Sequence, residues 1–200
     1  MTELKDKVVL ITGAGKGSGR ALAEACGARG ACVAANDISP VNVDEVVARV
    51  RSQGGRAAAY IHDVAKKVAA QALVNEVEDE WGRIDVLIQH AAVEPRAPLL
   101  DMDEWDWHRV LDVNLTGAYL MLQSVGRTMR AQGGGVIIHL VPDAGRETGG
   151  ERGAYFASMN GLQELTRQAA VELAAYGIRV HAVELGKAGL VETVVGLCKG

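Results

Sequence analysis

Six short apolar runs near residues 7–12, 31–36, 57–62, 84–89, 136–141 and 178–184 alternate with helical patterns near 17–29, 41–53, 66–80, 103–131 and 153–176. Strands joined by helical crossovers pair in parallel, and right-handed crossovers spread the helices over both faces of the sheet. The runs carry few charges, as strands covered on both sides require. No repeat, low-complexity tract or linker divides the 200 residues. The expected fold is a single α/β domain with a doubly wound parallel sheet. The tail from Gly189 to Gly200 fits either a helical turn or a short strand.

Composition narrows the function classes. The chain is 48% hydrophobic and 23% charged, an ordinary globular balance. A net charge of -4 argues against nucleic acid or an anionic membrane as partner, since both select clustered Lys and Arg. No apolar run approaches the roughly 20 residues of a membrane span, and the segment from Met1 to Lys7 has no signal-peptide core. Cys26, Cys32 and Cys198 lack redox or metal spacing and point to reduced thiols in the cytoplasm. The five His residues are scattered singly, so no metal site is expected.

The chemistry starts at Thr12-Gly13-Ala14-Gly15-Lys16-Gly17-Ser18-Gly19, directly after the run Val8-Val9-Leu10-Ile11. Strand, glycine turn and helix in succession aim backbone N–H groups and a helix N-terminus at an anion. Gly13, Gly17 and Gly19 give tight turning and let a diphosphate approach the backbone. No G-x-G-x-x-G register can be completed, and Lys16 is followed by Gly17 rather than the Ser or Thr of a P-loop. A structural βα connection is the plain alternative.

Asp37 closes the second strand, eighteen residues beyond Gly19. A carboxylate there can accept hydrogen bonds from ribose hydroxyls and repel the 2′-phosphate of NADP. It can equally be a turn acid before Pro40. Lys16 pulls the other way, because a cation beside the turn can partner a 2′-phosphate. NAD(H) is the expected cofactor, with NADP(H) left open.

These residues together resemble the short-chain dehydrogenase/reductase family, from residue 5 to about 186. Its T-G-x-x-x-G-x-G turn is met by Thr12, Gly13, Gly17 and Gly19. His62-Asp63-Val64 is similar to the family's Asp-Val pair, whose Asp contacts adenine. Asn114, in Asp112-Val113-Asn114-Leu115-Thr116-Gly117, matches the family's helical active-site Asn. Tyr155 opens a Y-x-x-x-K-like segment, and Gly177-Ile178-Arg179-Val180 matches the lead into the sixth strand. The resemblance implies a Rossmann-type fold and a dinucleotide held by residues 12–19, Asp37, Asp63, Val64, Ala91 and Tyr155. It also implies that Tyr155 is the acid/base, with Asn114 in its proton relay.

The departures fall on the chemistry. Met159 stands where the family has Lys, four residues after Tyr155. Pro142 stands thirteen residues before Tyr155, at the catalytic Ser position. Gln89-His90-Ala91-Ala92 replaces N-N-A-G, and the chain stops at Gly200, short of the family's substrate loop, further helix and seventh strand. Tyr titrates near ~10, so about one part in a thousand is phenolate at neutral pH. The family's Lys lowers that value and anchors the ribose; Met does neither. Proline has no hydroxyl and no N–H to hold a substrate oxygen.

Ser158, Thr148, Arg152, Asp143 and His139 are the nearby candidates for a replacement. Ser158 fits a packing position and His139 a core or cofactor-side histidine; Arg152 can place a cation near Tyr155, but a loop residue before a helix mostly faces solvent. Trp105, Trp107 and His108 read as packing or interface anchors, and Met159 as core or interface filler. Three functions stay open: a nucleotide-binding protein with weak or lost hydride transfer, serving as a regulatory or silent partner subunit; an active dehydrogenase or reductase using an altered site; or a cofactor-free dimerisation module. The family's two-fold pairing of long helices implies a homodimer or a heteromer with a homologous subunit. Ala118, Leu122, Ala157, Gly161, Leu165 and Ala169 are the candidate contacts.

Overall fold

The structure is a computed structural model that describes residues 3–143, 150–186 and 188–199. Of the candidates above, Thr148 lies outside the described residues. Six parallel strands stand in the order β3-β2-β1-β4-β5-β6. They are β1 (Val8–Thr12), β2 (Cys32–Asp37), β3 (Arg56–Ile61), β4 (Val86–Gln89), β5 (Gly135–Pro142) and β6 (Ile178–Leu185). The order reverses between β1 and β4, which pair through Thr12 and Gln89 at their C-terminal ends. In an open α/β sheet that reversal point is where the crevice opens.

Alternate residues of each strand face opposite layers. Val9, Ile11, Val33 and Ile88 pack beneath α1 (Gly17–Ala28), α2 (Pro40–Ser52) and α7 (Leu190–Cys198). Leu10, Ala34, Leu87 and Ile137 pack beneath α3 (Lys67–Trp81), α5 (Gly117–Gln132) and α6 (Gly153–Leu173). Each fully buried aliphatic side chain contributes roughly 1.5–3 kcal/mol. The doubly wound parallel sheet is therefore as expected. The open question about the tail resolves as helix α7, whose Val194, Val195 and Cys198 are buried in the first layer. All three cysteines are free and buried.

One expected element differs. The stretch read as a single helix over 103–131 is α4 (Glu104–Leu111), a π-turn at Asp112–Thr116, and then α5. The Gly117 N–H reaches back to the Asp112 carbonyl across the widened turn. A π-turn repositions one residue's side chain without ending the helix. Here that residue is the buried Asn114.

Candidate active site and cofactor cleft

The glycine turn is built so tightly that side chains are excluded. A Cβ on Gly13, whose φ is +64°, would lie 2.8 Å from the Ala91 backbone. A Cβ on Gly19 would meet the Gly13 carbonyl oxygen and the His90 ring. His90 Nδ1 lies 3.0 Å from that carbonyl, so the protonated ring nitrogen donates to it. Thr12 Oγ1 accepts from the N–H groups of His90 and Ala91, both at 3.3 Å. The β1 and β4 ends are thus locked together at the reversal point. Gly17, with φ +53° and open space before its Cβ position, begins α1 at the mouth.

Asp37 serves the same loop. Its Oδ2 accepts from Gly15 N–H at 2.9 Å, and its Oδ1 accepts from Ser39 N–H at 3.0 Å. A Cβ on Gly15 would sit 2.6 Å from Oδ2. Asp37 is thus the turn acid ahead of Pro40, and it also borders the cleft.

That cleft has a volume of about 540 Å³. It brings together Gly13, Lys16, Asp37, Asp63, Val64 and Ala91 from the sequence assignments. Asp63 is shaped by its own turn, with Oδ1 accepting from Ala65 N–H at 3.0 Å. Thr12, Gly15 and Gly19 are buried behind the wall, while Ser18 lies in the first turn of α1. The cleft is also lined by Trp105 and His108, read in the sequence as packing or interface anchors, and by Arg109, which sequence reading missed. Trp105 is 66% exposed, with the Arg109 guanidinium 5.3 Å from its ring centroid. Alternating charge and aromatics at the start of α4 was the only available signal.

The second group of residues lies beyond the cleft lining. Asn114 donates from Nδ2 to the Val93 carbonyl at 3.0 Å and to Ser158 Oγ at 3.1 Å, while its Oδ1 accepts from Val93 N–H at 2.8 Å. Both of its amide hydrogens are used. The Ser158 hydroxyl in turn donates to the Tyr155 carbonyl at 2.7 Å. A continuous bridge joins the β4 exit, the π-turn and the start of α6. Ser158 is a scaffold residue, as its packing position suggested.

Tyr155 and Met159 are buried in one cluster with Ala118, Val141 and Leu162. Met159 therefore fills apolar space and brings no charge. Pro142 is the last residue of β5, paired with Leu185. His139, on the same strand, points to the α6 layer: its Nδ1 donates to Thr166 Oγ1 at 2.7 Å, because that hydroxyl donates to the Leu162 carbonyl. Burial pushes the His139 ring down to about 4, so it is neutral at ordinary pH.

Arg152 departs from the solvent-facing expectation. Its guanidinium lies 5.0 Å from the Tyr155 ring centroid and 4.7 Å from that of Phe156. Its Nη2 donates to Glu94 Oε2 at 3.0 Å, and Nε lies 2.7 Å from Oε1. Burial raises the Tyr155 phenol above its ordinary value; Glu94 adds to the rise and Arg152 opposes it.

A family profile for short chain dehydrogenases matches residues 7–195. The chain belongs to the short-chain dehydrogenase family. Its similarity to an uncharacterized oxidoreductase of Thermotoga maritima is 40% identity, covering 88% of this chain and 70% of that one. The D-threitol dehydrogenase of Mycolicibacterium smegmatis is 34% identical, with 90% and 69% covered. Among solved structures, a metagenomic short-chain oxidoreductase in complex with NADP superposes with TM-score 0.93 at 30% identity, covering 99% of this chain and 93% of the other. An NAD+-bound xylitol dehydrogenase superposes at 0.87 with 34% identity, covering 97% and 76%. A short-chain dehydrogenase fold of this kind binds a nicotinamide dinucleotide, and among the described residues no helix is long and apolar enough to cross a membrane.

Proposed function

We propose that this short-chain dehydrogenase relative is a cytoplasmic NAD(H)-binding protein with impaired hydride transfer, serving as a regulatory or silent partner subunit. The observation that carries the reading is the combination of an intact glycine cradle with an uncharged, buried Met159 four residues after Tyr155. The cradle fits a dinucleotide: side chains are excluded at Gly13, Gly15 and Gly19, and the α1 N-terminus begins at open space. In this reading Gly13 to Gly19 hold the diphosphate, Asp37 the adenosine ribose, and Asp63, Val64 and Ala91 the adenine.

When bound, the nicotinamide supplies the hydride donor or acceptor. The chain's own part is to orient a carbonyl or hydroxyl and to hold a proton at Tyr155 Oη. Asn114 fixes the backbone on which Tyr155 sits, through Ser158. Pro142 offers no hydroxyl to steady the substrate oxygen, and Met159 offers no ammonium to lower the phenol. A general acid/base works best near the ambient pH, and burial carries Tyr155 away from it.

Preference for NAD over NADP rests on Asp37, whose carboxylate opposes an added phosphate charge at the cleft wall. Calorimetric titration with both cofactors tests this. Tighter NADP binding would show that Lys16 dominates, and binding of neither would favour a structural module. The active-enzyme reading draws its support from Arg152, which brings a cation to the ring of Tyr155.

A further inference from the structure

We propose that Arg152, held in place by Glu94, is a positioning residue that supplies Tyr155 with the positive charge its own helix no longer provides. The inference rests on reading Tyr155 as the acid/base position and deepens it. Arg152 immediately precedes α6 and turns back over the first turn, so its guanidinium covers the Tyr155 and Phe156 rings. Those two rings meet edge to face, with centroids 5.7 Å apart, and present adjoining surfaces to one flat cation. The Arg152 side chain is only 19% exposed, so its charge acts through partly desolvated space.

Glu94 explains why so extended a side chain stays there. It lies on the β4 exit, next to Val93, whose N–H and carbonyl are both clamped by Asn114. Its carboxylate accepts a hydrogen bond from Nη2, while Nε lies within ion-pair distance. A neighbouring backbone bond, Ala97 N–H to the Glu151 carbonyl at 3.0 Å, ties the same two segments together. The carboxylate is shared, since Arg96 also contacts it at 3.1 Å. Among the described residues, the charged groups that act on the Tyr155 phenol are Glu94, which raises it, and Arg152, which lowers it. The arrangement is thus a partly neutralised cation: Arg152 favours the phenolate and Glu94 restrains it.

The test is the ionisation midpoint of Tyr155, which requires neither cofactor nor turnover. It is followed by tyrosinate absorbance and by the ring-carbon resonances of isotope-labelled tyrosine, assigned by difference from Tyr155→Phe. Glu94→Gln leaves Arg152 uncompensated and moves the midpoint down from wild type. Adding Arg152→Gln to that variant moves it back up, whereas adding Arg152→Lys keeps it low. A merely structural role gives a different pattern: losing the guanidinium opens the packing, exposes Tyr155 and lowers the midpoint further. The proposal is overturned by that pattern, or by an unchanged midpoint in Glu94→Gln. Shifts in the expected directions without cofactor binding would sink the functional reading and leave this inference standing.

Discussion

Asp37 Oδ2 accepts a hydrogen bond from the N–H of Gly15, 22 residues earlier, at 2.9 Å. The residue that would select the cofactor is therefore also a strut of the loop that would hold it. Asp37→Ala removes both functions. A lost charged hydrogen bond costs about 1.5–3 kcal/mol, so NAD(H) affinity should fall roughly tenfold or more. NADP(H) should suffer less, because the repulsion disappears with the strut. Calorimetry with both cofactors reads the ratio, and an equal loss for both would assign Asp37 to the loop alone.

Repair of the catalytic segment should be cooperative. Met159→Lys places an ammonium in an apolar cluster and needs the cofactor ribose as partner. It should raise cofactor affinity before any turnover appears. Pro142→Ser with Met159→Lys should give measurable NADH oxidation with small ketones, while each single change gives little, since such groups act as a unit. Full activity from either single repair would contradict this.

Acid should destabilise the fold through His139. Its folded value is about 4 against an ordinary 6.5. The unfolded chain thus binds a proton that the buried ring refuses. Stability is complete above pH 6.5 and falls as pH drops toward 4, by up to roughly 3 kcal/mol. His181, also lowered by burial, adds to the same limb. Urea unfolding of His139→Asn across this window should show a flatter pH dependence than wild type.

Association should be a two-fold pairing of the α5 and α6 faces. Ala118 and Ala169, expected at that interface, are instead buried within the chain's own core. Gly161 also faces inward, toward Leu115. The surface left for a partner includes Ala157, Tyr119 and Val171, the last two 43% and 68% exposed. Light scattering at micromolar concentration should give a dimer mass, and Val171→Glu should weaken it. A monomer for wild type would reject the pairing.

The parts legible in the sequence were those written in local periodicity. Short apolar runs place all six strands within a residue or two of their ends, and the turn from Thr12 to Gly19 declares its backbone demands through glycine. The π-turn at Asp112–Thr116 left no trace, because one widened turn keeps the helical alternation on either side. For Arg152 the sequence leaves a cation beside Tyr155 and a solvent-facing side chain both open, for a different reason. Its orientation depends on Glu94, 58 residues away, and long-range ion pairs have no local signature. Trp105 reads in sequence as a packing or interface anchor and Arg109 carries no signal; both are exposed, and only the sheet's reversal point makes them part of the cleft lining.

The central claim, that the chain binds NAD(H) yet scarcely uses it, is tested most directly by two readings on one sample. NADH affinity is taken from calorimetry, and NADH absorbance is followed over a panel of small ketones and aldehydes. The account predicts saturable binding with only trace oxidation, unchanged in Tyr155→Phe. Rapid oxidation by wild type that Tyr155→Phe abolishes would contradict it.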